Sequence, residues 1–219
     1  LLDQNGDILE KISTNAGILS IENDHFARTL RQQLNRFKLR PTHLPIIAAG
    51  MITSKQGWVE TPYAECPVSA ENLANALTPF ETEDFGKIWF SPGVKQLQPE
   101  PDIMRGEEAQ LAGFDSSASL TALLPGTHSK WVKLERGNIC GFTTYMTGDL
   151  FYAVRNHTIL KSLSNNNWSP SAFGEGVQDG YRHIKEGKGL LSVLFKTRVK
   201  SILALSDNAG CEDYLSGLL

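Results

Sequence analysis

The run Leu44-Pro45-Ile46-Ile47-Ala48-Ala49-Gly50 narrows the possible folds of this chain more than any other stretch. A continuous apolar segment ending in glycine has the profile of a strand buried on both faces of a mostly parallel sheet. Before it, His25 to Leu39 carries Phe26, Leu30, Leu34 and Phe37 at the spacing of one face of an amphipathic helix. Asn23 or Asp24 is placed to cap that helix and Pro41 to limit it. Earlier still, Asn5-Gly6 lies between short apolar segments and supplies the positive backbone angles of a tight hairpin. The first strand of that hairpin is expected to begin before Leu1. Hairpin, helix and buried strand in that order argue for an α/β fold.

Further along, Val59 to Tyr63, the segment around Pro67-Val68-Ser69, and Ile88 to Gly93 read as short strands, and Ser69 with Asn72 reads as a helix start. Gln96 to Pro101 holds two prolines that fit neither a helix interior nor a central strand, and is expected to link two domains. The expected division is therefore residues 1–100 and 101–219. In the second part, Arg105 to Gly113 reads as a helix and Leu120 to Leu124 as a strand. Trp131 to Thr144 alternates around an Arg-Gly-Asn turn and reads as a second hairpin. Leu150 to Val154 starts a further helix. Ser169 to Leu194 is helical in character, with Phe173, Val177, Tyr181 and Ile184 on one face, and Val193 to Leu205 is mixed. Asp213 to Leu219 has an apolar helix pattern with no cap after it. Each half thus carries a hairpin followed by helical and apolar elements, and two similar α/β lobes are expected.

With 219 residues, 41% of them hydrophobic, there is enough material for a substantial core. The formal charge of −3 gives no reason to expect nucleic acid as a partner. Cys66, Cys140 and Cys211 are odd in number and lack metal-ligand spacing, as do His25, His43, His157 and His183, so no metal is assigned to these residues. The apolar stretch Leu190 to Phe195 is far too short to span a bilayer, and no membrane partner is expected. Asp3, Asp7 and Glu10 are unlike a signal peptide, and no Met opens the chain, which is expected to start inside a longer protein. A soluble cytoplasmic protein is the expectation; oligomeric state is not legible, and a homodimer stays open.

Two stretches carry candidate chemistry. Arg105-Gly106-Glu107-Glu108 places two carboxylates after a glycine that lets backbone approach a ligand. Glu107 and Glu108 are candidate bases or plain helix-start acids favoured by the dipole. Arg105 is either a fork for a substrate carboxylate or their ion-pair partner. Pro125-Gly126-Thr127-His128-Ser129-Lys130 offers backbone donors, two hydroxyls and a cation after an apolar strand, either as an anion cradle or as an ordinary turn. It lacks Walker spacing, and Ser129 beside His128 is too local to make a hydrolase triad. The loop Met51 to Trp58 follows the apolar run directly, where open α/β sheets bind ligands, or is a simple polar turn.

Taken together, Arg105 to Gly113, Pro125 to Trp131, Gly50-Met51…Ser54…Gly57-Trp58…Pro62-Tyr63, Met146-Thr147-Gly148-Asp149 and Leu215-Ser216-Gly217-Leu218-Leu219 closely resemble the 2-dehydro-3-deoxygalactonokinase family. The likeness runs over nearly the whole chain. It implies two ribonuclease-H-like lobes of the actin, Hsp70 and hexokinase type, with ATP and a sugar acid meeting in a cleft. It further implies ATP-dependent phosphorylation of 2-dehydro-3-deoxy-D-galactonate to its 6-phosphate in galactonate breakdown, with Mg2+ bridging the nucleotide phosphates.

In related carbohydrate kinases a Gly-Asp-Gln-Gln segment opens the second lobe and supplies the base. By that resemblance Glu107 takes the base position, although the Asp-to-Glu change leaves Glu107 and Glu108 both open. Arg105 with Ser54 and Trp58 would orient the keto acid. Gly126, Thr127 and His128 would hold the transferring phosphate, and Lys130 would offset developing charge. The family's first phosphate motif is expected before Leu1 and its adenosine-binding segment after Leu219, so these 219 residues alone are expected not to turn over. Three rivals remain: a kinase for another 2-keto-3-deoxy sugar acid, a sugar-acid-binding regulator of the same fold, and a hydrolase using Ser129 and His128.

Overall fold

A computed structural model describes residues 1–21, 25–38, 44–114, 117, 119–163, 168–203 and 210–219. Within them the chain is mixed α/β and divides into two compact units. The first holds Leu1–Ala122 and Trp131–Thr143, the second Leu123–Lys130 and Thr144–Leu219. The division does not fall after residue 100. Instead of linking domains, Gln96 to Pro101 turns the chain between two adjacent strands of the first unit.

That unit opens with a chain reversal where the hairpin was expected, but wider than a tight Asn5-Gly6 turn and closed by one bridge. Leu2 and Ile8 form an antiparallel bridge, Gly6 takes φ 87, and the Asp3 carboxylate accepts from the Asn5 and Asp7 amides at 2.8 and 2.9 Å. Helix α1, Phe26–Leu34, is shorter than its periodicity implied. The expected cap at Asn23 or Asp24 and the stop at Pro41 lie outside the described residues, as does His43.

The strand β1, Ile46–Ala48, pairs parallel with β4, Gly86–Phe90, in the register Ile46 to Ile88 and Ala48 to Phe90. On the other side of β4 runs antiparallel β3, Thr78–Thr82. The parallel pairing follows the sequence reading, but the two-sided burial does not. In the order β1-β4-β3 the apolar run occupies an edge, and Ile47 is 65% exposed. It is β4 that supplies the buried Ile88 and Phe90. Ser69 caps helix α2, Ala70–Asn75, through a capping box with Asn72, as its sequence required.

A second sheet holds β2, Tyr63–Glu65, parallel to β5, Gly93–Gln96, which is antiparallel to β6, Asp102–Met104. Gln96 closes the β5–β6 turn, donating through Nε2 to the Glu100 carbonyl at 2.9 Å and accepting the Phe142 amide at Oε1 at 2.8 Å. Helix α3, Glu107–Leu111, follows β6. A third sheet has the order β7, Leu120–Leu124, β8, Ser129–Glu135, and β9, Asn138–Tyr145. Its β8–β9 turn is Arg136-Gly137, both with positive φ, the arrangement of a tight two-residue hairpin.

The second unit is largely helical: α4 (Thr147–His157), α5 (Pro170–Lys185), α6 (Leu190–Leu194), α7 (Lys196–Ile202) and α8 (Cys211–Leu218). The single helix expected over Ser169 to Leu194 breaks after Lys185, where Gly187 takes φ 71. Its expected apolar face also points the wrong way for a core. Tyr181 is 61% and Ile184 69% exposed, while Gly176, Asp179, Gly180 and His183 are buried. The reason is backbone proximity. A Cβ at Gly176 would overlap the Tyr214 carbonyl, and one at Gly217 would overlap that of Phe173, so α5 and α8 pack glycine to backbone.

Asp179 then sits against α8, accepting from the Tyr214 hydroxyl at 2.7 Å and paired with Arg182 and Lys200. Burial pushes its carboxyl up, but the Tyr214 hydrogen bond and the cations Arg182, Lys200 and Lys196 outweigh that and hold it below the usual range. Gly217→Ala is expected to force the two helices apart and destabilise the second unit by about 1–3 kcal/mol, read as a lower urea midpoint. An unchanged midpoint would show that the helices can separate without cost.

Candidate active site

Two clusters collect the residues singled out in the sequence, one in each compact unit. The first begins at Gly50, whose φ of 89 and ψ of −154 suit glycine alone. A single turn of 3-10 helix, Met51–Thr53, follows. The segment closes on itself. Thr53 donates through its amide and Oγ1 to the Gly50 carbonyl at 2.9 and 3.0 Å, and Trp58 donates its amide to the Ile52 carbonyl at 2.8 Å. Gly57 is needed because a Cβ there would overlap the Ile52 carbonyl.

Two expected substrate residues are occupied inside this turn. The Ser54 hydroxyl donates to the Met51 carbonyl at 2.7 Å. Trp58 stacks on Phe26 with centroids 6.0 Å apart and meets Phe80 and Phe90 edge-on at 5.8 Å. Its ring belongs to an aromatic cluster with Phe26, Phe80 and Phe90 and stays partly exposed.

Arg105 is also committed to the protein. Its Nη1 donates to the Thr53 carbonyl (2.7 Å), Thr53 Oγ1 (2.6 Å) and Thr61 Oγ1 (2.7 Å), and Nη2 donates to the Thr61 carbonyl at 3.0 Å. The guanidinium lies over the Tyr63 ring, 4.3 Å from its centroid, with Nε 3.4 Å from the hydroxyl. Thr61 in turn donates to the Ser91 carbonyl at 2.9 Å. The expected substrate fork is thus a brace between three segments. Thr53 and Thr61 were not singled out by the sequence, and Tyr63 entered only within the Pro62-Tyr63 motif, without a role; the fully buried threonine at 53 has no signature distinguishable from an ordinary turn hydroxyl.

Beyond Arg105, Gly106 takes φ 115, and a Cβ there would come within 3.1 Å of Gly50 Cα. The two glycines of distant motifs therefore meet. Both following carboxylates fold back over the start of α3: Glu107 Oε2 accepts from the Arg105 amide at 3.1 Å, and Glu108 Oε2 accepts from the Gly106 amide at 2.6 Å. Their surroundings differ. Glu107 is half-buried, whereas Glu108 is 0% exposed. Burial is the main cause that pushes the Glu108 carboxyl up to about 7, helped by the Glu107 charge and opposed by the Gly106 amide, its own amide and Arg105.

In the second unit, the two remaining motifs come together. The Asp149 amide donates to the Thr127 carbonyl at 3.0 Å, and His128 Nε2 lies 2.7 Å from Asp149 Oδ2. Ser129 Oγ lies 2.5 Å from Thr147 Oγ1 and also accepts the Gly126 amide at 3.4 Å. A Cβ at Gly148 would stand 2.7 Å from the Gly126 carbonyl and 2.8 Å from Thr127 Cα, so glycine is required for the start of α4 to seat against this loop.

The sequence quoted Thr147-Gly148-Asp149 but gave it no role; here it forms the floor of the Gly126–Ser129 turn. His128 engages Asp149 and Ser129 engages Thr147, so the histidine is not the partner of the serine, and the hydrolase reading loses its geometry. Lys130 is buried within the protein, not presented on an open face.

A family model described as 2-keto-3-deoxy-galactonokinase matches residues 1–219. The chain belongs to that family. It is 36% identical over 184 residues to a protein of Rhizobium meliloti strain 1021 named a probable 2-dehydro-3-deoxygalactonokinase, covering 82% of this chain and 60% of that one. It is 30% identical to the 2-dehydro-3-deoxygalactonokinase of Escherichia coli K12, over 100% of this chain and 72% of that one. A crystal structure of a candidate 2-dehydro-3-deoxygalactonokinase from Sinorhizobium meliloti is similar at TM-score 0.88 and 31% identity, across 100% of this chain and 72% of that chain. The chain thus spans 60% to 72% of the length of these relatives.

For this family member, Arg105 is the residue on which the first cluster's shape rests. Arg105→Lys removes the fork that serves Thr53 and Thr61 together, and is expected to lower stability by roughly 1.5–3 kcal/mol in urea denaturation. A loss of ligand affinity with stability unchanged would restore the fork reading.

Proposed function

We propose that the protein transfers the terminal phosphoryl group of ATP to the 6-hydroxyl of 2-dehydro-3-deoxy-D-galactonate, as a step in galactonate breakdown. The family match over the whole chain carries this reading. Phosphoryl transfer asks the protein for positioning, charge stabilisation and a proton acceptor near the attacking hydroxyl. The paired carboxylates Glu107 and Glu108 supply the acceptor, held where Gly106 and Gly50 let backbone come close. Gly126, Thr127 and His128 contact the phosphate, with His128 oriented by Asp149. The backbone of the Gly50–Ser54 turn contacts the keto acid, and Arg105 holds that turn instead of gripping the acid itself. Lys130, being buried, acts on the developing charge at a distance.

The same proposal takes the two compact units as the ribonuclease-H-like lobes of an actin-like kinase, in place of a division at residue 100. It also takes the protein as cytoplasmic, without a nucleic-acid partner; no helix among the described residues is long and apolar enough to cross a membrane. Mg2+ accompanies ATP in such transfers. Among the described residues no three His, Cys, Asp or Glu side chains group together as metal ligands.

A coupled ATP-consumption assay of the intact protein over a panel of 2-keto-3-deoxy sugar acids is expected to show turnover with the galacto epimer preferred. Turnover with none of them would sink the kinase assignment, and preference for another epimer would move the substrate. In the same assay Gly148→Ala should lower kcat/KM by on the order of 100-fold, because its methyl displaces the Gly126–Thr127 backbone. Wild-type kinetics from that variant would remove this loop from the phosphate site.

A further inference from the structure

The two adjacent carboxylates have so far shared one role, and their environments separate them. Glu108 has no exposed surface, and its Oε2 is taken by the Gly106 amide at 2.6 Å. Its Oε1 is buried and has no hydrogen-bond partner among the described residues. An ionised carboxylate with one oxygen buried and unpartnered is costly, whereas the neutral acid buries no charge: its Oε2 is the carbonyl oxygen that accepts the Gly106 amide, and an unpartnered hydroxyl at Oε1 is the smaller cost. Glu107, one residue earlier, is half-buried, and its carboxylate accepts from the Arg105 amide at 3.1 Å.

The amide that Glu108 holds is a particular one. Gly106 stands at φ 115, pressed within 3.1 Å of Gly50 as judged by the Cβ it lacks. Its peptide group leads directly into Glu107. Holding the Gly106 amide therefore holds the backbone from which the Glu107 side chain extends. We infer that Glu108 is a positioning residue, a neutral acid that locks the Gly106 turn, and that Glu107 alone accepts the proton of the attacking hydroxyl. This rests on the kinase reading proposed above.

A carboxyl pushed up to about 7 sits where a general base works best, so acidity taken alone nominates Glu108. Reach decides against it, since a base must approach the proton it removes and Glu108 is sealed. The charged groups acting on it are Arg105 and Glu107. Of the elements beside this turn, β2 brings Tyr63, which lies against Arg105, and the 50–54 turn brings no ionisable side chain.

The raised carboxyl also has a consequence for stability that is independent of turnover. Between the unfolded value of about 4.5 and the folded value of about 7, the folded state holds a proton that the unfolded state has released. Its stabilising contribution is complete below pH 4.5 and is lost as pH rises through 7.

The test compares Glu107→Gln, Glu108→Gln and Glu108→Ala in the intact protein. Glutamine at 108 keeps an acceptor for the Gly106 amide without a titrating proton. It is expected to lower kcat less than Glu108→Ala does, and to remove the contribution near pH 7 from both the rate profile and the pH dependence of the melting temperature. Glu108→Ala should lower kcat by roughly 10- to 100-fold with KM nearly unchanged. Glu107→Gln should abolish transfer while leaving the melting profile with its pH dependence.

An active Glu107→Gln beside an inactive Glu108→Gln would make Glu108 the base and overturn the inference with the kinase reading intact. A Glu108→Gln melting profile superimposable on wild type from pH 4.5 to 7 would overturn the neutral acid, whether or not Glu108→Ala folds. No transfer by the wild type would remove the kinase reading, and the positioning role with it.

Discussion

The guanidinium of Arg105 joins three segments that are distant in the chain, and the geometry of the first unit's cluster depends on it. One flat cation satisfies both the carbonyl and the hydroxyl of Thr53, the same pair on Thr61, and the face of Tyr63. A lysine could not meet these acceptors together, because its donors radiate from a point. Once the guanidinium is seated, the Gly50 turn and the Gly106 turn are brought into backbone contact. The acidic pair is presented from a fixed support.

The second unit reaches the same end by a different route. Glycine, not a cation, permits its decisive contacts: Gly148 under the Gly126–Thr127 loop, and Gly176 and Gly217 between α5 and α8. Removing a side chain lets backbone meet backbone, and polar groups such as Asp179 and Tyr214 then fill the positions flanking the contact. In both units, the candidate motifs place a glycine at the close approach and polar side chains beside it. That arrangement explains why each motif looked weak alone. A glycine announces close approach without saying to what.

Much of the local structure was legible. The chain reversal at Asn5-Gly6, the Ser69 cap, the Arg136-Gly137 turn and the parallel pairing of Ile46–Ala48 follow from backbone preferences acting over a few residues. Helix α5 shows where such reasoning stops. Phe173, Val177, Tyr181 and Ile184 have the periodicity of a buried face, yet the glycine face packs, because α8 comes closer than an apolar stripe would allow. Likewise Gln96 to Pro101 carries the prolines of a linker but turns the chain between two paired strands, held by the Gln96 side chain.

The sequence by itself determined the family, the α/β class and the motifs that hold the candidate chemistry, because residue type and short spacing suffice to recognise them. Tertiary structure alone decided where those residues sit and what they touch. Arg105 is a brace because its acceptors lie 44 and 52 positions away in the chain. Trp58 joins an aromatic cluster because Phe26, Phe80 and Phe90 come together around it. Glu107 and Glu108 part company because one is sealed and the other is not. Each distinction rests on burial and on partners remote in sequence, and no local pattern encodes either.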